Sequence, residues 1–226
     1  MTLTPSDNFF IVAHRLLEEK NKKWHVRDFA KELINPEKAG AFFKVLERED
    51  ILERPIHSGR SSFTILRSPK KLLRFCTEIY PQNELKTVSF VTHKNLKETV
   101  SGLESLGYEI FRGGINGIPL RYQSVVQNRM DLLCLTPSFF SRKGYQKILY
   151  DQDIHRVFEG GNLFITHPRF KKWLRSRFVL DEDMKIPSDL YSILSLKKSR
   201  NPMASAALEY FLKATKREGG LLAETL

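Results

Sequence analysis

In "YDQDIH", Asp151, Asp153 and His155 stand at alternate positions. On a β-strand they would leave one face together and offer two carboxylates and an imidazole to a divalent metal. The ordinary use of so Asp-rich a segment is a surface turn, and that is the use expected here. Nucleotidyl transfer needs carboxylates that hold a divalent cation against phosphates, typically after a glycine-rich turn. "RGGINGIPLRY" and "EGGNLFITHP" supply glycines, but no acidic pair follows either of them. Neither spells a P-loop or a dinucleotide fingerprint. Both read as turns of a sheet domain. The six histidines form no HExxH, and no GxSxG or Cys–His signature occurs. The residue pattern therefore points to no catalytic site, no cofactor and no metal.

The stretch with the clearest binding chemistry is "HPRFKKWLRSRF". Arg169, Lys171, Lys172, Arg175 and Arg177 follow one another without an acid, interleaved with Phe170, Trp173 and Phe178. Read as a helix, it docks its aromatics inward and projects its cations. Such a stripe binds phosphates without reading sequence, and exposed aromatics in it would stack single-stranded bases. A docked helix with a solvated basic face, or one that meets an acidic protein, has the same pattern. The net charge of +11 fits an acidic partner, nucleic acid above all. Residues 1–85 carry 15 Lys/Arg against 12 Asp/Glu, a net of +3, and residues 86–226 carry 22 against 14, a net of +8.

A second candidate is "VRDFAKELINPEKAGAFFKVLERED". Before it, apolar positions at helical spacing predict a helix that Pro5 and Ser6 start. "WHV" reads as a short extended piece, and "RDFAKEL" as a second helix with Phe29, Ala30 and Leu33 on one face. Asn35 is an N-cap and Pro36 the first residue of a third helix. Ala39, Phe43 and Leu46 make its buried stripe, and Asp50 ends it. Ile51–Arg54 and Ser62–Leu66 pair as a hairpin around "HSGR", with Gly59 in the turn. That order of elements is a winged helix-turn-helix. In such a fold the third helix enters a major groove, here with Glu37, Lys38, Gly40, Ala41, Lys44 and Arg48 outward. Lys38 and Lys44 reach guanine edges or phosphates. Gly40 and Ala41 let the helix sit close but read little. His57 and Arg60 at the wing would touch a minor groove or phosphate. The competing reading, encouraged by Glu37, Glu47, Glu49, Asp50 and Glu53, is a winged helix that binds protein.

"SPKKLLRFCTEIYPQ" predicts a linker helix over residues 69–85, capped by Ser68 and started by Pro69, with Leu72, Leu73, Cys76 and Ile79 apolar. Lys70, Lys71 and Arg74 would face a DNA backbone or solvent. Residues 86–226 mix strands and helices without strict alternation. The fold expected is thus α+β: a winged helix-turn-helix over residues 1–68, then a mixed α/β C-terminal domain. Cys76 and Cys134, 58 residues apart in apolar surroundings, read as buried free thiols. The longest N-terminal apolar run stops after five residues, so no membrane span or signal peptide is expected, and the cytoplasm is the expected compartment.

"KKLLRFCTEIY", then "EGGNLFITHP", then "IPSDLYSILSLKKSRNPMASAALEYFLK", all behind a winged helix, resemble AbiEi-type antitoxin and transcriptional regulator proteins of type IV toxin–antitoxin systems. Pro187, Leu190, Tyr191, Leu194, Arg200, Ala206 and Ala207 fall at matching places. The chain departs at Ser188 or Asp189, where the family often has Gln, at Ser192 or Ser195 (Asp), and at Asn201 (Gly). The resemblance implies a bacterial DNA-binding repressor of its own promoter. Its C-terminal domain would aid DNA binding or neutralise a nucleotidyltransferase-like toxin. The expected partner is double-stranded DNA, bound as monomer or homodimer, with toxin capping or ligand sensing as the alternative uses of the C-terminal domain.

Overall fold

The structure is a computed structural model that describes residues 3–55, 63–81, 86–123, 128–199 and 203–217. The chain is α+β and divides into two compact units, Met1–Pro81 with Thr215–Leu226, and Gln82–Ala214. Among the described residues, no helix is long and apolar enough to cross a membrane.

The first unit opens with helix α1 (Asp7–Glu18), which Ser6 caps by accepting the Phe9 N–H at 3.3 Å. Phe9 to His14, Leu16 and Leu17 are all buried, so α1 is covered on nearly every side rather than along one stripe. Helix α2 (Pro36–Arg48) starts as local chemistry dictates: the Asn35 side chain accepts the Glu37 N–H at 2.8 Å, and Pro36 leads the first turn. Ala39, Phe43 and Leu46 are its buried positions. Its C-terminus is a complete Schellman motif. The Asp50 N–H donates to Glu47 O at 3.1 Å, and the Ile51 N–H to Leu46 O at 2.9 Å. Asp50 takes the left-handed place there (φ 55°), which glycine usually fills.

Strands β1 (Leu52–Glu53) and β2 (Ile65–Leu66) pair antiparallel, and Trp24 bridges Thr64 through two 2.8 Å backbone hydrogen bonds. Helix α3 (Pro69–Ile79) is capped by Ser68, which accepts the Lys71 N–H at 3.2 Å. Phe9 ties the helices together, edge-on to Phe42 of α2 at 5.6 Å and to Phe75 of α3 at 6.0 Å.

One segment differs from expectation. "RDFAKEL" forms a 3-10 helix, Val26–Glu32, rather than an α-helix. With three residues per turn the helical stripe is lost. Phe29 alone is buried there, stacked on Trp24 at 5.2 Å, while Ala30 is exposed and Leu33 is 84% exposed at φ 55°.

The second unit is built on a five-stranded mixed sheet. Its strands are β3 (Lys86–Thr92), β4 (Ile110–Arg112), β5 (Met130–Cys134), β6 (Ile154–Val157) and β7 (Leu163–His167), in the order β4-β5-β7-β3-β6. β5 and β7 run parallel, and every other pair is antiparallel. Val88, Phe90, Ile110, Leu132, Cys134, Leu163 and Ile165 form one apolar face. Val100 and Leu103 of α4 (Leu96–Ser105) and Tyr145 and Ile148 of α5 (Arg142–Asp151) belong to the same core. After the sheet come α6 (Lys171–Ser176), a hairpin of β8 (Phe178–Asp181) and β9 (Met184–Pro187), α7 (Asp189–Lys197) and α8 (Ala204–Arg217).

β6 and the β8–β9 hairpin carry no clear sequence signal. The hairpin turns on Glu182 and Asp183, both at positive φ (48° and 65°), in a two-residue loop that usually announces itself by Asn-Gly or Asp-Gly. The "YDQDIH" residues do not share a strand. Asp151 ends α5, Asp153 sits at φ 49°, and His155 lies in β6. Asp153 and His155 meet at 2.8 Å, and no group of three potential metal ligands occurs among the described residues.

Candidate nucleic-acid interface

The buried stripe of α2 fixes its opposite face. Glu37, Ala41, Lys44 and Arg48 follow at i, i+4, i+7 and i+11 along the line away from Ala39, Phe43 and Leu46, and all four are exposed. Lys38 is exposed beside that line, and Gly40 is half-buried on the side of Val26. Lys38, Lys44 and Arg48 make no ion pair with any described residue. The face thus runs from Glu37 past the small Ala41 to Lys44 and Arg48, with Lys38 at its margin, on a helix whose ends are held by a cap and a Schellman turn. His57 and Arg60 lie outside the described residues.

The neighbouring cations are engaged differently. Lys71 Nζ donates to Asp50 at 2.8 Å, and Arg67 contacts the other oxygen of the same carboxylate. The Lys71 hydrogen bond and the two positive charges hold the Asp50 carboxyl below its usual range, against the opposing effect of desolvation. Asp50 therefore links the left-handed end of α2 to the start of α3. Arg74 pairs with Glu78 at 2.8 Å, and Arg54 with Glu47 at 3.0 Å. Lys70 is exposed and without an ion pair among the described residues. Of the three α3 cations proposed for DNA, only Lys70 presents an uncompensated charge.

The 169–177 segment departs from its expected form. Phe170, Trp173 and Leu174 are buried as read, but α6 is only six residues long. The chain then turns extended, so Phe178 enters β8 and is 41% exposed instead of docking inward. Arg175 lies in a forked ion pair with Glu109, with Nη2 at 2.6 Å and Nε at 3.0 Å from one oxygen. Arg177 is half-buried and donates from Nη1 to Ser176 O at 2.7 Å. Lys171 and Lys172 are half-buried, and Arg169 is exposed with its guanidinium 5.9 Å from the Phe170 ring. The continuous basic stripe is therefore broken by a strand and by a carboxylate distant in sequence.

The second unit also holds a charged group that sequence reading missed. Arg112, last residue of β4, is fully buried, and its Nη2 donates to the Asp181 carboxylate of the hairpin. Its Nε and Nη1 find no hydrogen-bond partner among the described residues. Asp181 also accepts the Leu120 N–H at 2.9 Å. Burial acts against the Asp181 charge, but the Arg112 hydrogen bond, the Leu120 N–H and the nearby arginines outweigh it and lower the pKa. Nearby, Asp131 is held by Arg129 at 2.9 Å, yet burial raises its pKa, as it does for Asp189. Burial lifts both thiols as well, Cys134 to about 12. "RGGING" in the sequence gave no hint that its arginine faces inward, because its partner stands 69 residues away.

Comparison of the chain with protein-family models, with curated proteins and with solved structures returns no match.

Proposed function

We propose that the first unit is a winged helix that binds double-stranded DNA, and that the protein is a transcriptional regulator of the autoregulating, antitoxin-like kind. The observation that carries the reading is the outer face of α2. Lys44 and Arg48 stand there and Lys38 beside them, without carboxylate partners among the described residues, with Ala41 between and Glu37 the acid at the start of the line. Elsewhere in the same unit, Lys71, Arg74, Arg67 and Arg54 each have such a partner, while Arg27, Lys31 and Lys70 have none among the described residues. Cations left uncompensated on one rigid helix face suit phosphates and guanine edges. The order of elements supports it too. The Trp24–Thr64 bridge gives β1 and β2 a third extended neighbour, as the chain between the first two helices does in winged helices.

In this reading α2 lies in a major groove. Lys44 and Lys38 read or hold it, and Arg48 and Lys70 neutralise phosphates. Small side chains at Gly40 and Ala41 leave direct base readout weak, so shape and backbone contacts supply much of the affinity. The test is competition binding of the protein to a duplex from its own upstream region and to a scrambled duplex of equal length. Lys44→Ala should narrow the gap between the two duplexes by about tenfold, the worth of one bidentate base contact. An unchanged gap would remove Lys44 from recognition.

A further inference from the structure

We propose that the second unit carries its own binding surface for single-stranded nucleic acid, on α5 and the edge strand β6. The two elements pack together at the end of the sheet. On α5, Lys143, Gln146, Lys147 and Tyr150 recur at i, i+3, i+4 and i+7, and all are exposed. Tyr150 is 89% exposed, and Phe158, directly after β6, is 94% exposed. Between these elements the Arg156 guanidinium lies 4.9 Å from the Tyr145 ring and 5.7 Å from the Phe158 ring. Lys86, on the strand that pairs with β6, brings its ammonium within 5.8 Å of the same Tyr145 ring.

Single exposed aromatics are ordinary on protein surfaces. Here two of them, one on α5 and one directly after β6, share these packed elements with a run of cations. Lys86, Arg142, Lys143, Lys147 and Arg156 make no ion pair among the described residues. The carboxylates on these elements are Asp151, Asp153 and Glu159, and Asp153 is already taken by His155. Open π-faces beside uncompensated cations suit a polyanion whose repeating unit also stacks, which is a nucleic-acid strand with splayed bases. A duplex hides its base faces and leaves the aromatics unused. An acidic peptide would use the cations and leave Tyr150 and Phe158 idle. The surface is built from other elements than α2 and does not depend on the function proposed for it.

The experiment measures fluorescence anisotropy of labelled oligo(dT) and oligo(rU) of about 16 nucleotides, the upper end of such site sizes, with the full chain. The Tyr150→Ala/Phe158→Ala variant loses only exposed side chains and should keep its fold. Its affinity for at least one single strand should fall by tenfold or more, because each lost aromatic removes a stacking platform for a base. Its affinity for a duplex of the same length should not change. Lys44→Ala/Arg48→Ala should leave single-strand binding intact. The inference is overturned if the wild-type chain binds neither oligonucleotide. Equal single-strand binding by the aromatic variant and wild type overturns it, as does loss of that binding in the Lys44/Arg48 variant. Binding of poly-glutamate as tightly as the oligonucleotides overturns it too.

Discussion

Removing the charge of Asp181 should cost more than removing Arg112, although both changes break one ion pair. Asp181→Asn keeps the shape of the side chain and an oxygen for the Leu120 N–H, but leaves a guanidinium that is 0% exposed without a counter-charge. Uncompensated buried charges of this kind cost about 3–5 kcal/mol. Arg112 has no route to water, and its Nε and Nη1 are already without partners. Arg112→Met removes that charge and both unpaired donors. The carboxylate it leaves is 21% exposed and still holds the Leu120 N–H, so the loss should stay under about 2 kcal/mol. The double variant should recover most of the Asp181→Asn loss.

Urea unfolding followed by indole fluorescence measures this. The chain has two tryptophans, and a Trp24→Phe background leaves the buried Trp173 as reporter of the second unit. Acid adds a second reading. The Asp181 pKa is lowered in the folded chain, so its stabilisation is present above the unfolded value, about 3.9. It is lost as pH falls through the folded value. Asp181→Asn should therefore flatten the loss of stability below about pH 4. An Asp181→Asn variant within about 0.5 kcal/mol of wild type, or one milder than Arg112→Met, would refute the reasoning.

Other substitutions test the packing. Gly40→Ala should stabilise the first unit by about 0.5–1 kcal/mol, since its new methyl meets Val26 Cγ1 at an ordinary 3.8 Å; a lower urea midpoint would contradict the spacing of α2 and Val26. Gly144→Ala should destabilise the second unit by about 1–3 kcal/mol or more, because its Cβ would lie 2.5 Å from Phe139 O and 2.6 Å from Ser138 O, both backbone atoms. An unchanged midpoint would sink that contact. Cys76 and Cys134, buried and with raised pKa values, should resist a thiol reagent at about pH 8 until denaturant is added, and rapid labelling of the folded chain would contradict their burial.

What the sequence made legible was local. Ser6, Asn35-Pro36 and Ser68-Pro69 mark helix starts by chemistry that spans three residues, and the Ala39–Phe43–Leu46 stripe follows from one helical period. The 3-10 helix was not legible, since "RDFAKEL" fits either helical period and its stacking on Trp24 is a tertiary choice. Nor were the charges that distant partners neutralise. Arg175 meets Glu109 across 66 residues and Arg112 meets Asp181 across 69, so a stripe that looks basic in one dimension is partly compensated in three. The reverse holds on α5 and β6. Lys143, Lys147 and Tyr150 follow one another on α5 at helical spacing, and only the packing of that helix on the edge strand brings Arg156 and Phe158 into the same group of elements.

If α2 is the recognition helix, its outer face holds duplex DNA. The most direct test is the dependence of affinity on salt, for wild type and for Lys44→Ala/Arg48→Ala, on the upstream and scrambled duplexes. Wild type should prefer the upstream duplex at both low and high salt. The double variant should lower the slope of log affinity against log salt by about one, for the phosphate contact of Arg48, and narrow the preference for the upstream duplex by about tenfold, for the base contact of Lys44. Equal affinity for the two duplexes with an unchanged slope in the variant would contradict it.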